Sequence, residues 1–411
     1  MNYSITAPSR IEAEINLPAS KSISNRVLII NALNGGKCHI NNIAECDDTA
    51  AMMSALVSES SDINIGAAGT AMRFLTAYFS LCGGRNVVLD GTERMRHRPI
   101  KTLVDTLNAC GANIAYKNET GFPPLEIHGR RYGCDSISMA SGVSSQFISA
   151  ILMIMPVIGC SRLHLEGKII SRPYIEMTLD VMLSFGVKAS FVGNDIILEP
   201  GVQYVSPSVY NVENDWSAAS YWYAIQSLLP KSRISLRGLF RDSIQGDCRV
   251  AEFFRELGVD SLSRGNYVDL RNIKSTDGEL ELDLSGNPDL AQTIIVAACL
   301  LDRKFHITGL QTLKIKETDR LEALRTQLFK LGYVVKVEND VAMIWDGETT
   351  KPESRPVIDT FDDHRMAMAF APAAVKFPGL VIADAGVVGK SYPDYWKHLV
   401  QCGFMIKEAA L

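Results

Sequence analysis

Nowhere in the chain do two cysteines stand as a Cys-x-x-Cys pair, although nine are scattered along it. An odd, unpaired set implies reduced thiols, a cytosolic setting and no structural zinc. The seven histidines (His39, His97, His128, His164, His306, His364 and His398) show no paired ligand spacing. Metal catalysis is therefore not expected, nor is any cofactor. The longest apolar stretch, Phe147 to Gly159, contains Ser149 and Pro156 and falls short of the roughly 20 apolar residues a membrane helix needs. The opening Met-Asn-Tyr-Ser-Ile-Thr-Ala-Pro lacks a basic start and an apolar core of signal-peptide length, so a cytoplasmic protein is expected. Positive charge is not in excess either: 41 Lys and Arg stand against 46 Asp and Glu, giving a net charge of -5 and a pI near 5.9. A general nucleic-acid binder would carry a basic face, so any anion recognition here must be local.

What is present is an ordinary globular composition, 47% hydrophobic and 21% charged, over 411 residues. That length exceeds a single core of about 150 residues, so two or more domains are expected. The chain is organised around Pro18-Ala-Ser-Lys-Ser-Ile-Ser-Asn-Arg26. An alternating strand (Ile11, Ala13, Ile15, Leu17) ends at Pro18, Ser20 or Ser22 can cap a helix, and that helix buries Ile23, Val27 and Ile30. Its first turn holds Lys21, Ser22 and Arg26 beside backbone N–H groups that lack helical partners, which makes an anion site.

The same plan of short strand, small polar corner and apolar helix recurs near residues 70, 145, 217, 289 and 363. A second helix in each copy starts near Asp47, Arg98-Pro99, Arg172-Pro173, Asp247, Lys316 and Ser391. Five of these end in Gly111, Gly186, Gly258, Gly332 and Gly403, spaced 75, 72, 74 and 71 residues apart. Glycine is the expected C-cap there, and a period of this length identifies a β-α-β-α-β type repeat with the first copy truncated. Six units divide into two lobes of three, with the likeliest seam at Pro200 to Val209.

Cations gather at the corners: Lys21, Arg26, Arg73, Arg94, Arg96, Arg98, Arg172, Lys316, Arg320, Arg365 and Lys390. For Arg96 and Arg237 a solvated surface position is expected instead. Gly66-Ala-Ala-Gly-Thr-Ala-Met-Arg73 permits close backbone approach to a ligand around Gly69, without the spacing of a Walker loop or dinucleotide fingerprint. Ser144, Ser145 and Gln146 offer two hydroxyls and an amide at a helix start, where a plain N-cap would explain one serine but not the pair. Ser171 precedes Arg172-Pro173-Tyr174 at another helix start. In Lys316-Glu-Thr-Asp-Arg320 the two cations are expected to share a helical face with Glu317 beside them. A carboxylate among cations suits general acid–base work, and Asp289 at its own helix start could take a hydroxyl proton.

Taken together, Pro18–Arg26, Ala68-Gly-Thr-Ala-Met-Arg73, Arg94 through Arg98-Pro99-Ile100, Ser144-Ser-Gln146, Ser171-Arg-Pro-Tyr174, Lys316–Arg320, Asp363-His-Arg-Met-Ala-Met368 and Lys390 with Tyr392-Pro-Asp-Tyr395 closely resemble the 5-enolpyruvylshikimate-3-phosphate synthase family. The resemblance implies an α/β fold: a two-lobed inside-out α/β barrel of six repeats, three per lobe. Residues 1–15 and 213–411 would form one lobe and 16–212 the other, with the active site in the cleft between them. It implies transfer of the enolpyruvyl group of phosphoenolpyruvate to the 5-hydroxyl of shikimate 3-phosphate, with release of phosphate, on the route to aromatic amino acids. Shikimate 3-phosphate would meet Lys21, Ser22, Arg26, Ser144, Ser145, Gln146, Ser171, Tyr174, Asp289 and Lys316. Phosphoenolpyruvate would meet Lys21, Gly69, Arg94, Gln146, Arg320, Arg365 and Lys390. Asp289, Glu317 and Lys21 would be catalytic. The only partners implied are these two small molecules, taken up by a monomer with no nucleic acid or membrane involved.

Three positions depart from the family pattern: Ala67 and Thr312 where Asn is common, and Phe74 where Pro is common. The sister transferase acting on UDP-N-acetylglucosamine shares the fold, but it typically has a reactive Cys before the Arg-Pro corner. No Cys lies between Cys82 and Cys110 here. A DNA clamp also repeats β-α-β units, but it lines helices with cations along their length, not at first turns beside Ser and Gly.

Overall fold

The computed structural model describes residues 1–142 and 144–410. The chain forms two compact units, Ala19–Val212 on one hand and Met1–Pro18 with Glu213–Leu411 on the other. It opens with strands β1 (Tyr3–Thr6) and β2 (Glu12–Asn16), which belong to the second of these.

The Ala19–Val212 unit runs through α1 (Lys21–Leu33), β3 (His39–Asn41), α2 (Asp47–Val57), β4 (Asp62–Asn64), α3 (Gly69–Leu81), β5 (Asn86–Asp90), α4 (Glu93–Arg96) and α5 (Lys101–Ala109). It continues with the hairpin β6 (Ile114–Tyr116) and β7 (Leu125–His128), then β8 (Ser136–Ala140), α6 (Ser145–Ile158), β9 (Arg162–Glu166) and α7 (Arg172–Ser184). The hairpin β10 (Ala189–Val192) and β11 (Asp195–Leu198) follows, and β12 (Val209–Asn211) ends the unit. Its sheets are ordered β4-β5-β7-β6 and β10-β11-β9-β8, with β12 beside β3 in a third sheet of two strands.

The other unit contains α8 (Trp216–Leu228), β13 (Arg233–Arg237), α9 (Val250–Glu256), β14 (Val259–Arg264), β15 (Tyr267–Asn272), β16 (Leu280–Asp283), α10 (Ala291–Leu300) and β17 (Phe305–Thr308). After these come α11 (Arg320–Lys330), β18 (Lys336–Glu338), β19 (Ala342–Trp345), β20 (Val357–Ile358), α12 (His364–Phe370), β21 (Leu380–Ile382), α13 (Tyr395–Gln401) and β22 (Met405–Glu408). Three four-stranded sheets result: β14-β15-β13-β2, β16-β17-β19-β18 and β20-β21-β1-β22.

Four of the six copies therefore carry one strand more than the β-α-β-α-β reading, because a hairpin follows the second helix. Turn chemistry explains it: Gly193-Asn194 and Gly265-Asn266 join two hairpins, and Asn339-Asp340 joins a third with both residues at positive φ. In most copies the strand before the first helix pairs in parallel with the strand after it, as β4 does with β5 and β16 with β17. Two copies exchange that strand. β2 leads into α1 but pairs with β13, while β12 leads into α8 but pairs with β3.

Helices form the centre of each unit. In one, α1, α3 and α6 pack on one another; in the other, α8, α10 and α12 do. Every residue of α10 is buried, as are Phe147 to Pro156 of α6. An all-round apolar helix must be enclosed, whereas the sheets bury one alternating face: Val87 and Leu89 are buried and Asn86 is exposed in β5.

Candidate active site

Each central helix begins at one of the polar corners, and within each unit the corners meet at one end of the helical bundle. In the Ala19–Val212 unit, Ser20 caps α1 by accepting from the Ile23 N–H at 3.4 Å. Ser144 caps α6 through the Gln146 N–H at 3.3 Å, leaving Ser145 as the first helical residue. The Gln146 amide reaches Thr70 Oγ1 at 3.1 Å, joining the starts of α6 and α3.

Arg26 is buried one turn into α1, and its guanidinium donates to Thr178 Oγ1 (2.7 Å), Ser149 Oγ (3.1 Å) and the carbonyls of Ser22 (2.8 Å) and Tyr174 (3.2 Å). All four acceptors are neutral, and burial pulls its pKa down to about 10, with Tyr174 opposing. A buried guanidinium without a carboxylate is a standing demand for an anion. Phe74 lies fully buried beneath it, ring centroid 5.5 Å from Cζ. Lys21 meets the buried carboxylate of Asp48 at 3.2 Å.

Gly69 opens α3 and has no room for a side chain: a Cβ there would stand 2.5 Å from Arg98 Nη1. Its carbonyl accepts from Arg73 at 3.0 Å. Arg94 lies exposed on the short helix α4. Ser171 is buried in the left-handed region, φ 55°, without capping α7 through its side chain. Ala67 is exposed, so the amide common in the family is lost at a surface position.

In the other unit the charges are interlocked. Asp289 lies in a short 3-10 turn, Pro288–Leu290, ahead of α10, and one fifth of its side chain is exposed. It faces Arg365 at 3.0 Å, Arg320 at 3.2 Å and Lys316 at 3.5 Å. Glu317 is held between Arg320 (2.9 Å) on one oxygen and Lys390 (3.3 Å) on the other. Asp363 closes the network against Arg320 at 2.7 Å and caps α12 by accepting from the Arg365 N–H. Four cations thus enclose three carboxylates. Burial pushes the Asp289 carboxyl upward, but Arg365, Lys316 and Arg320 outweigh it and hold the pKa well below the usual carboxylate range. For Arg320 burial acts downward and is outweighed by Asp363, Glu317 and Asp289, so the guanidinium stays charged.

One local expectation is corrected. Lys316 and Glu317 do not share a helical face with Arg320, because α11 starts only at Arg320. Asp319 intervenes as N-cap, accepting from the Glu322 N–H at 3.2 Å, and Lys316 is extended. The two residues therefore reach the network from a loop. Arg96 and Arg237 do sit at the surface, on Asp90 and Glu14 respectively.

Sequence reasoning left out Asp48 and the hydroxyls of Ser149 and Thr178, and it named Arg98 and Asp363 only within their motifs, without a role. A signal existed for Asp48, since Asp47-Asp48 opens a helix; the hydroxyls, mid-helix and buried, gave none. Asp247 is also buried, hydrogen-bonded to Ser217 and Asn287, with its pKa raised by burial and by Asp289. Thr312 Oγ1 is buried with no hydrogen-bond partner among the described residues. No three His, Cys, Asp or Glu among the described residues are placed to hold a metal ion. Among the described residues no helix is long and apolar enough to cross a membrane.

The profile of the EPSP synthase (3-phosphoshikimate 1-carboxyvinyltransferase) family matches residues 5–58 and 56–399. The chain is 50% identical over 409 residues to the 3-phosphoshikimate 1-carboxyvinyltransferase of Bacteroides fragilis (strain YCH46), covering 99% of both. It is 38% identical over 414 residues to that of Ralstonia pickettii (strain 12J), covering 93% of this chain and 95% of the relative. Two solved structures of EPSP synthase from Acinetobacter baumannii superpose with TM-scores of 0.75 and 0.76 at 20% identity, covering 99% and 100% of this chain and 100% of each of theirs. That likeness carries the expected fold, the two-lobed inside-out α/β barrel of six repeats. With a family match over nearly the whole chain and half of its residues identical to a full-length relative, the chain belongs to the EPSP synthase family of enolpyruvyl transferases.

Proposed function

We propose that this enzyme moves the enolpyruvyl group of phosphoenolpyruvate onto the 5-hydroxyl of shikimate 3-phosphate, releasing phosphate. The observation that carries the reading is the convergence of Lys316, Arg320, Arg365 and Lys390 on Asp289 and Glu317. Burying that many charges costs stability unless a ligand uses them. Two polyanionic substrates use them, since they repel each other in water and need fixed cations to be held together.

Arg26, Ser22, Ser144, Ser145, Gln146, Ser171, Tyr174 and Lys316 would hold shikimate 3-phosphate, with Lys21 between the substrates. Arg26 enters this role with its neutral acceptors already fixing its orientation, so a phosphate meets a preset fork. Gly69, Arg94, Gln146, Arg320, Arg365 and Lys390 would hold phosphoenolpyruvate. Within this network Asp289 is a weak base because Arg365, Lys316 and Arg320 face it. Substrate anions that share those cations restore its basicity, and it takes the proton of the attacking 5-hydroxyl. Glu317 delivers a proton to the methylene carbon, forming the tetrahedral intermediate, then removes one from the resulting methyl as the C–O bond to phosphate breaks. Lys21 stabilises the charge that develops in between.

The enzyme acts as a cytoplasmic monomer, without nucleic acid or membrane; the net charge of -5 supports the exclusion of nucleic acid. Phosphate release with phosphoenolpyruvate and each acceptor in turn tests the function. Release with shikimate 3-phosphate and none with UDP-N-acetylglucosamine is expected; the reverse pattern overturns the reading. Size-exclusion elution at a mass near 45.1 kDa is expected, and elution at twice that mass overturns the monomer.

A further inference from the structure

We infer that Tyr392, clasped between Trp222 and His398, is a positioning latch for Lys390 that closes only while the His398 imidazole is neutral. The inference rests on the reading of Lys390 as a phosphoenolpyruvate ligand. Lys390 ends a 3-10 turn, Ala385–Lys390, and the chain from there to α13 has no strand or helix of its own. Backbone bonds tie Ser391 and Tyr392 to the Val388 carbonyl at 3.1 and 2.8 Å, and Tyr395 to the Tyr392 carbonyl at 3.1 Å. Besides the Lys390–Glu317 ion pair, the Tyr392 side chain, 1% exposed, fixes this segment to the rest of the unit. Its ring meets Tyr395 and His398 edge-on, with centroids 5.4 and 5.6 Å apart.

The hydrogen-bond chain has one direction that satisfies every donor. Trp222 Nε1 can only donate, and it lies 3.2 Å from the Tyr392 oxygen. The phenol oxygen therefore accepts there, and its own buried hydrogen finds an acceptor among the described residues in His398 Nδ1, 2.8 Å away. Nδ1 must then be bare and Nε2 must carry the proton. A protonated imidazole donates from both nitrogens, which sets Nδ1–H against a phenol hydrogen that has no other acceptor among the described residues. The charged and titratable groups around the pair are Asp394, Tyr395 and Lys397 on the segment of His398, Cys402 after α13, and Asp215 at the cap of α8. Burial dominates and lowers the His398 pKa, Asp394 opposes it, and Lys397 adds to it, so the latch is closed at neutral pH and opens in acid.

The test measures KM for both substrates from pH 5 to pH 8 in the wild type and in His398→Leu, Tyr392→Phe and His398→Asn. His398→Leu and Tyr392→Phe should raise KM for phosphoenolpyruvate about 5-fold at pH 7.5, the effect of one lost buried hydrogen bond, with KM for shikimate 3-phosphate within about 2-fold of wild type. His398→Asn presents an oxygen near the Nδ1 position that does not titrate. It should rescue the neutral KM and remove the extra acid rise, read as the ratio to wild type so that the substrate's own titration cancels. An unchanged phosphoenolpyruvate KM in His398→Leu, or an unchanged acid rise in His398→Asn, overturns the latch. Absence of wild-type turnover strikes the functional reading instead. In that case nitrogen NMR of His398 still decides the latch: a bare Nδ1 with a protonated Nε2, lost in Tyr392→Phe, supports it, and the opposite tautomer overturns it.

Discussion

Arg320 Nε lies 2.7 Å from Asp363 Oδ2 with the two side chains 1% and 0% exposed, and the same guanidinium holds Glu317 at 2.9 Å. Asp363 thus fixes the Glu317 corner from behind, through a cation that reaches it from another helix. Removing it leaves Arg320 buried without its closest partner and uncaps α12. Asp363→Ala should cost about 3–5 kcal/mol, read as a lower midpoint in urea unfolding. A loss under about 1 kcal/mol would show that Arg320 finds compensation elsewhere.

Glu317→Gln keeps the size of the side chain and removes the carboxylate between Arg320 and Lys390. Turnover should fall by about 10²–10⁴ while substrate affinities stay close to wild type. Turnover like that of the wild type would take Glu317 out of the mechanism.

Arg26→Lys retains a charge but cannot reach Thr178, Ser149 and two carbonyls at once. KM for shikimate 3-phosphate should rise about 10-fold or more, as expected for loss of a charge-assisted fork, with little change for phosphoenolpyruvate. Equal weakening of both substrates would contradict the assignment.

Gly69→Ala places a methyl 2.5 Å from Arg98 Nη1. The guanidinium is the far end of a flexible side chain, so it moves and the fold survives. The expected result is a several-fold higher KM for phosphoenolpyruvate with a melting temperature within about 2 °C of wild type, on the scale of a ΔΔG below 1 kcal/mol. A collapse in stability instead would mark Gly69 as a folding residue.

Asp289 supplies a pH signature. Its folded pKa is depressed by Arg365, Lys316 and Arg320 against the upward push of burial. The stabilisation it contributes is present above the ordinary carboxyl value of about 3.9 and is lost as pH falls below it. The stability gap between wild type and Asp289→Asn, read by denaturant unfolding, should therefore be constant from pH 7 to 5 and shrink below about pH 4. A gap that grows with acid would reverse the sign of the coupling.

The sequence by itself determined whatever is settled within a few residues. Capping serines before α1 and α6, glycines after the second helices and the all-round apolar pattern of α10 and α6 mark the repeat, because helix starts, stops and burial are local chemistry. The positions of Lys21, Arg26, Glu317 and Lys390 at corners followed from the same signals. Only the tertiary structure decided which strand completes which sheet. β2 and β12 carry the same alternating pattern as their counterparts, and nothing in a strand names its partner. It also decided the pairings of charge. Arg365 with Asp289 spans 76 residues and Lys390 with Glu317 spans 73, and Coulomb attraction depends on distance in space, which the order of residues does not record.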